Sequence, residues 1–172
     1  MFSPFEARLS HVYRWPITRT IQRQSVAEHS FRVALWADRI AKHHFHITNA
    51  TILYHIGRAA LLHDQLEAFT GDAPSTVKAH NWDTQVYDRM RNKIVEHYVE
   101  PEGDIKKIIK IADICEALVF LHEERTLGNG SMTGLMQYLC NKLKTMVPDP
   151  MYAELTQDCE NAAAYRQEPL DD

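Results

Sequence analysis

The chain has 172 residues, a length that suits one domain built around a single core. Lys+Arg 19 against Asp+Glu 23 leave a net charge of -4, so composition gives no basic face for duplex nucleic acid or anionic lipid. Hydrophobic content of 45% and charged content of 24% exclude a disordered or collagen-like chain, and Gly 6 with Pro 7 argue against a turn-rich β-sandwich.

In chain order, Ser3, Pro4 and Glu6 predict a capped helix to about Tyr13, followed by an irregular connection over 14–24 that contains Pro16. Ser25 and Glu28 form an S-x-x-E capping box for a helix reaching about His44. On it, Val26, Ser30, Val33, Ala37, Ile40 and Ala41 trace one apolar stripe. Thr48 or Asn49 caps the next helix, where Ile52, Ile56, Ala59 and Leu66 recur until Gly71 ends it. The TGDAPSTVK segment reads as a loop, a common carrier of binding groups. Asp83 opens a helix to about Glu100. Asp104 then caps a long apolar helix that stops at Gly128, Asn129 and Gly130. Two weaker helices split at Pro148 and Pro150 precede an end expected to fray. The prediction is an all-α bundle in one domain over 1–172, with a motif-bearing part at about 5–128, C-terminal helices over 131–165 and a tail over 166–172.

Cys115, Cys140 and Cys159 are widely spaced and odd in number, which leaves neither a disulfide framework nor a CxxC pair and fits a reducing cytoplasm. The amino terminus lacks the basic-then-apolar pattern of a secretory leader. No stretch approaches the roughly 18 uninterrupted apolar residues of a membrane span, so no membrane partner is expected.

Four polar residues sit where the apolar pattern asks for something else. His63 and Asp64 interrupt RAALLHDQLEAF, Asp113 interrupts IIKIADICEALV, and His29 lies one turn inside the capped helix, in line with Val33, Trp36 and Ile40. Each has an ordinary explanation: a hydrogen-bonded core histidine for His29 or His63, and a helix cap or a Lys110 ion pair for Asp113. Burying an unpaired carboxylate costs several kcal/mol, and one cation would resolve all four cases together. Two imidazoles with two carboxylates suit Zn, Mn, Fe, Co or Ni better than Ca, without singling out zinc. His43, His44 and His46 cluster at a helix end and read as a solvated C-terminal turn. The HExxH, G-x-S-x-G and GxxxxGK[ST] motifs are absent from the sequence, which argues against the corresponding hydrolases and NTPases.

A His on one helix, an adjacent His-Asp on the next and a distant Asp on a later one resemble the HD-domain metal-dependent phosphohydrolases. The sequence also carries Arg14-Trp15-Pro16, Ser25-Val26-Ala27-Glu28-His29-Ser30, Glu67 after His63-Asp64, Thr70-Gly71-Asp72, Pro74, Val77-Lys78 and Ala112-Asp113. This ordered set resembles the YfbR-like branch of 5′-deoxynucleotidases, and the compact chain is similar to phage-encoded relatives that hydrolyse dATP to deoxyadenosine and triphosphate. The resemblance implies an HD-domain helical bundle in which His29, His63, Asp64 and Asp113 hold a divalent transition metal (Zn, Co or Mn). A second ion such as Mg would accompany the phosphates.

It further implies that Glu67, on the helical face of the His63-Asp64 pair, orients water or exchanges a proton. Arg14 offers a planar fork to phosphate oxygens, and Trp15 packs against the sugar and excludes a 2′-hydroxyl by bulk. Ile17 and Pro74 line the base. Asp72, Ala73, Pro74 and Ser75 lie against the nucleoside, with Asp72 accepting the 3′-hydroxyl or ordering water, and Lys78 reaches phosphate. Relatives of this type assemble as dimers or larger rings, so a homo-oligomer such as a dimer or hexamer is expected. Against this reading stand 5′-deoxynucleotidase action on dNMPs, another HD activity on a cyclic dinucleotide or alarmone, a nucleotide sensor without hydrolysis, and a helical interaction module keeping a structural ion.

Overall fold

The computed structural model describes residues 6–72 and 101–165. The predicted helix from Asp83 to Glu100, the loop residues Ala73, Pro74, Ser75 and Lys78, and the tail over 166–172 lie outside the described residues. Six α-helices are described, labelled α1 (Val26–His43), α2 (Ala50–Leu62), α3 (Glu67–Thr70), α4 (Gly103–Thr126), α5 (Thr133–Met146) and α6 (Asp149–Tyr165). No strand occurs among the described residues, in keeping with the all-α prediction.

The Ser25 capping box forms as predicted. The Ser25 backbone N–H donates to Glu28 Oε2 at 2.7 Å, and the Glu28 N–H donates to Ser25 Oγ at 3.2 Å. With two of its orphan donors satisfied, α1 starts at Val26 and buries the predicted stripe of Val26, Ser30, Val33, Ala37, Ile40 and Ala41, together with His29. Asn49, one of the two predicted caps, accepts from the Thr51 and Ile52 backbones to start α2. Helix α4 is buried on nearly every side from Ile108 to Glu124 and packs against α1, α2, α5 and α6. This explains its nearly unbroken apolar sequence: a helix hydrophobic all round is a central helix.

Three expectations need correction. Ser3 and Pro4 lie outside the described residues, and from Glu6 the chain forms a short 3-10 helix over Glu6–Ser10 rather than an α-helix to Tyr13. The long helix has Glu102 at its N-cap position without a side-chain capping bond, and Asp104 lies inside its first turn. The predicted helix from Asn49 to Gly71 is broken. α2 stops at Leu62, and successive bonds from Gln65 N–H to Leu62, Glu67 N–H to Asp64 and Ala68 N–H to Gln65 tighten the chain into three-residue turns before α3. His63 Nδ1 donates to the Ala60 carbonyl at 2.7 Å, competing with the helix for an acceptor. The periodicity misled accordingly: Ile52 is exposed and Ala59 only half-buried, whereas Ile56 and Ala60 face the core.

The connection over 14–24 is irregular, as predicted, but firmly held. Arg14 N–H bonds the Gln24 carbonyl at 2.9 Å and Val26 N–H the Val12 carbonyl at 2.9 Å, closing the segment at its base. At its far end the buried Glu124 carboxylate accepts from the Ile21 and Gln22 backbones at 2.8 and 2.7 Å and from Asn129 Nδ2 at 2.7 Å. Removing this anchor orphans two backbone donors, so Glu124→Ala is expected to cost about 1–3 kcal/mol. A thermal melt checks it: the midpoint falls by roughly 2–4 °C per kcal/mol, and an unchanged midpoint would refute the anchor.

Candidate functional site

The tight turns after α2 bring His63 and Asp64 against the first turn of α1. Ligand atoms of His29, His63 and Asp64 all lie within 4.8 Å of one another. His29 Nε2 is 3.6 Å from Asp64 Oδ2 and 3.4 Å from Asp113 Oδ1 on α4, and His63 Nε2 is 3.2 Å from Asp64 Oδ2. Three of the four residues singled out in the sequence, from α1 and the end of α2, therefore form one group, and Asp113 on α4 approaches it through His29. Asp113 also has the ordinary partner considered for it, since Lys110 Nζ donates to its Oδ2 at 2.6 Å. Its Oδ1 remains turned toward His29.

The electrostatics of the cluster favour a positive charge at its centre. Burial pulls the His63 pKa down, but Asp64 and Asp113 overrule it and push it up to about 9. Burial would raise the Asp113 carboxyl, yet His29, Lys110 and His63 hold it well below the usual carboxylate range. His29 Nε2 and His63 Nε2 are buried and lack a hydrogen-bond partner among the described residues. Two inward-facing imidazole nitrogens beside two carboxylate oxygens fit a divalent transition ion, which would satisfy both orphaned atoms.

Arg14 is largely buried beside this cluster rather than paired on the surface. Its Nη2 lies 4.0 Å from Asp113 Oδ1, and its Nη1 donates to Gln24 Oε1 at 3.2 Å and Glu116 Oε2 at 3.1 Å. The guanidinium also stands over the Trp15 ring, 4.8 Å from its centroid. Trp15 has φ 67°, a left-handed conformation that a bulky side chain adopts only when its surroundings impose it. Two contacts impose it: its ring stacks on Phe120 at 5.6 Å, and its backbone N–H donates to Asp72 Oδ2 at 2.8 Å. The Trp15 indole Nε1 is buried without a partner among the described residues. Asp72 is thereby fixed to Trp15, directly after the Gly71 turn whose φ of 71° ends α3.

Glu67 is buried and opens α3, so it does not share a helix with His63 and Asp64 as the sequence implied. Its backbone N–H bonds the Asp64 carbonyl at 2.9 Å, keeping it one tight turn from the cluster. Ile17 is 78% exposed, so the described residues do not gather it into a wall with the site. Glu116 was not among the residues picked out from sequence. It is fully buried on α4 three residues after Asp113, in contact with His29, Gln24 and Arg14. Its signal was a carboxylate on the face of α4 that Asp113 shares, masked because E-A-L-V reads as ordinary helix.

A helical bundle that brings a histidine, a His-Asp pair and a distant aspartate to one point defines the class of HD-domain phosphohydrolases. The chain belongs to the 5′-deoxynucleotidase YfbR-like family, whose model matches residues 1–102. Asp113 lies beyond that match, and its place in the cluster is carried by geometry. The chain is 32% identical over 150 residues to a dATP triphosphohydrolase of Salmonella phage PMBT28, covering 82% of this chain and 77% of that protein. It is 30% identical over 168 residues to a 5′-deoxynucleotidase of Pasteurella multocida, covering 84% of each. In fold it is similar to the cyanophage S-2L HD phosphohydrolase DatZ, solved bound to dA and one catalytic Zn2+ ion. The TM-score is 0.70 at 23% identity, over 96% of this chain and 98% of that one. Among the described residues no helix is long and apolar enough to cross a membrane.

Proposed function

We propose that this protein is a metal-dependent phosphohydrolase that cleaves the bond between phosphorus and O5′ of 2′-deoxynucleotides, with dATP favoured and deoxyadenosine plus triphosphate as products. The observation that carries the reading is the meeting of His29, His63, Asp64 and Asp113 beside the Arg14 guanidinium. The similarity to the phage dATP triphosphohydrolase supports the choice of substrate. The similarity to the Pasteurella enzyme favours a second reading, hydrolysis of dNMPs to deoxynucleoside and phosphate.

In this reading His29, His63, Asp64 and Asp113 hold zinc, cobalt or manganese. Such an ion supplies Lewis acidity and neutralises charge on the phosphoryl group, and Mg can accompany the remaining phosphates. Arg14 binds phosphate oxygens with its free edge. Glu67 orients the attacking water or exchanges a proton with it, and O5′ takes up a proton as the deoxynucleoside leaves. Trp15 covers the sugar, and Asp72, tied to the Trp15 backbone, faces the 3′-hydroxyl. Ala73, Pro74 and Ser75 contact the nucleoside, and Lys78 reaches phosphate. The protein's contribution is chiefly positioning and electrostatics. The free thiols of Cys115, Cys140 and Cys159 support a cytoplasmic setting, that of the host for a phage protein. The proposal includes assembly as a homo-oligomer, a dimer or hexamer, to which the exposed Phe31 and Leu35, one turn apart on α1, lend support.

The test is to incubate the protein with each dNMP and dNTP plus Mn, Co, Zn or Mg and to separate the products. Triphosphate and deoxyadenosine from dATP are expected; phosphate from dNMPs alone would favour the second reading, and absence of any deoxynucleoside product would refute both. A finer prediction concerns the sugar. Trp15→Ala is expected to narrow the preference for dATP over ATP by about tenfold, measured as the ratio of kcat/KM values.

A further inference from the structure

Behind His29 lies a buried network whose centre is the Glu116 carboxylate. Its Oε2 accepts from His29 Nδ1 and, at 3.1 Å, from Arg14 Nη1. Its Oε1 accepts from Gln24 Nε2 at 2.5 Å and lies 3.7 Å from Arg32 Nη1. His29 Nδ1 and Arg14 Nη1 are also 2.7 Å apart. A ring nitrogen cannot donate to a carboxylate and accept from a guanidinium through the same atom. An ionised carboxylate can only accept, so the Glu116 contact assigns a proton to Nδ1 and draws the Arg14 Nη1 proton to the same oxygen.

We propose that Glu116 is a positioning residue that couples the metal-holding and phosphate-binding halves of the site. By accepting the Nδ1 proton it fixes His29 in the tautomer whose bare Nε2 faces Asp64 and Asp113, and it aligns the ring to the cluster. By holding Arg14 Nη1 it leaves Nη2 as the edge turned toward Asp113 and the incoming phosphate. One carboxylate thus sets both the basicity of a ligand and the angle of the guanidinium. Gln24 and Arg32 fix the carboxylate in turn, which gives the base of the 14–24 connection a role in catalytic geometry. This inference rests on reading the four-residue cluster as a metal site.

The experiment compares Zn2+ affinity, by competition with a chelating indicator, for the unaltered protein, Glu116→Gln and His29→Ala. Ring-nitrogen NMR of the metal-free proteins reports the His29 tautomer. Glu116→Gln keeps the volume but can present an amide N–H to Nδ1, which moves the ring proton to Nε2. A loss of affinity of about 10–100-fold is expected, with a shift of the His29 signals toward the Nε2-protonated form. Wild-type affinity with an unchanged tautomer in Glu116→Gln, alongside loss of binding in His29→Ala, would overturn the role of Glu116 and leave the metal site standing. Wild-type affinity in His29→Ala would overturn the metal site itself, and the inference with it. Should Glu116→Gln fail to fold, Glu116→Asp, which keeps the charge but withdraws the acceptor by one methylene, reads the same quantity. Weakened binding supports the coupling, and undiminished binding overturns it.

Discussion

Asp64→Ala is expected to purify without a bound divalent ion and to hydrolyse dATP slower by about 10³-fold or more. Asp64 Oδ2 lies 3.2 Å from His63 Nε2 and 3.6 Å from His29 Nε2, so one carboxylate serves both imidazoles, and its removal takes away half of the negative charge the four residues supply. The two losses travel together, because the group formed by His29, His63 and Asp64 has this carboxylate as its acidic member. Elemental analysis of the purified protein and product chromatography measure them side by side. A thermal melt separates loss of the site from loss of the fold. An ion bound only by the native state at 100 times its Kd stabilises by about 2.7 kcal/mol, so added Zn2+ should raise the midpoint of the unaltered protein and leave that of the variant where it was. Full turnover in a variant stripped of metal would end the proposed chemistry.

The fold was legible wherever local signals and burial agree. Ser25 with Glu28, followed by a 3.6-residue stripe, predicts α1 and its buried face because capping and core packing ask for the same residues there. The long apolar run after Asp104 predicts the central α4 on the same grounds, since a helix surrounded by others has no polar face to keep. The end of α2 was not legible. Nothing between Ala50 and Leu66 breaks a helix by propensity except Gly57, and the chain turns at His63 through three-residue hydrogen bonds that leave no compositional trace. His63 and Asp64 nonetheless both reach His29, the first with its ring centroid 5.3 Å from the His29 ring and the second with Oδ2 3.6 Å from His29 Nε2.

The candidate site divides in the same way. His29, His63, Asp64 and Asp113 were conspicuous because each sits at an apolar position where a lone polar group is costly; the structure groups the first three, and Asp113 lies beside His29. Arg14 and Trp15 could be named only through the family resemblance, since an Arg-Trp pair in a loop has no periodicity to violate. Their geometry depends on long-range partners: Phe120 and Asp72 for Trp15, Glu116 for Arg14. Glu116 escaped notice because charged residues within a helix usually point to water. Only the three-dimensional arrangement shows this one enclosed by His29, Gln24 and two arginines.

Arg14→Lys is expected to lower kcat/KM for dATP by about 10²-fold, or about 2.7 kcal/mol of transition-state stabilisation, although the charge is kept. The reason lies in how many partners one side chain serves. Arg14 spends Nη1 on Glu116 and Gln24 and still presents Nη2 toward Asp113, 4.0 Å away, where a phosphate oxygen would approach. Its plane also lies over Trp15, 4.8 Å from the ring centroid. A lysine has a single nitrogen at the end of a flexible stem. It can neutralise Glu116 or meet the phosphate, and the fully buried Glu116 carboxylate competes for it at close range. The substitution should therefore weaken the reaction where phosphate is engaged and spare what recognises the nucleoside. Steady-state kinetics with dATP and calorimetry with deoxyadenosine distinguish the two: a large fall in kcat/KM with little change in deoxyadenosine affinity is the expected pair. Equal losses in both would place Arg14 in the support of the fold rather than at the phosphate, and wild-type kinetics would remove it from the site altogether.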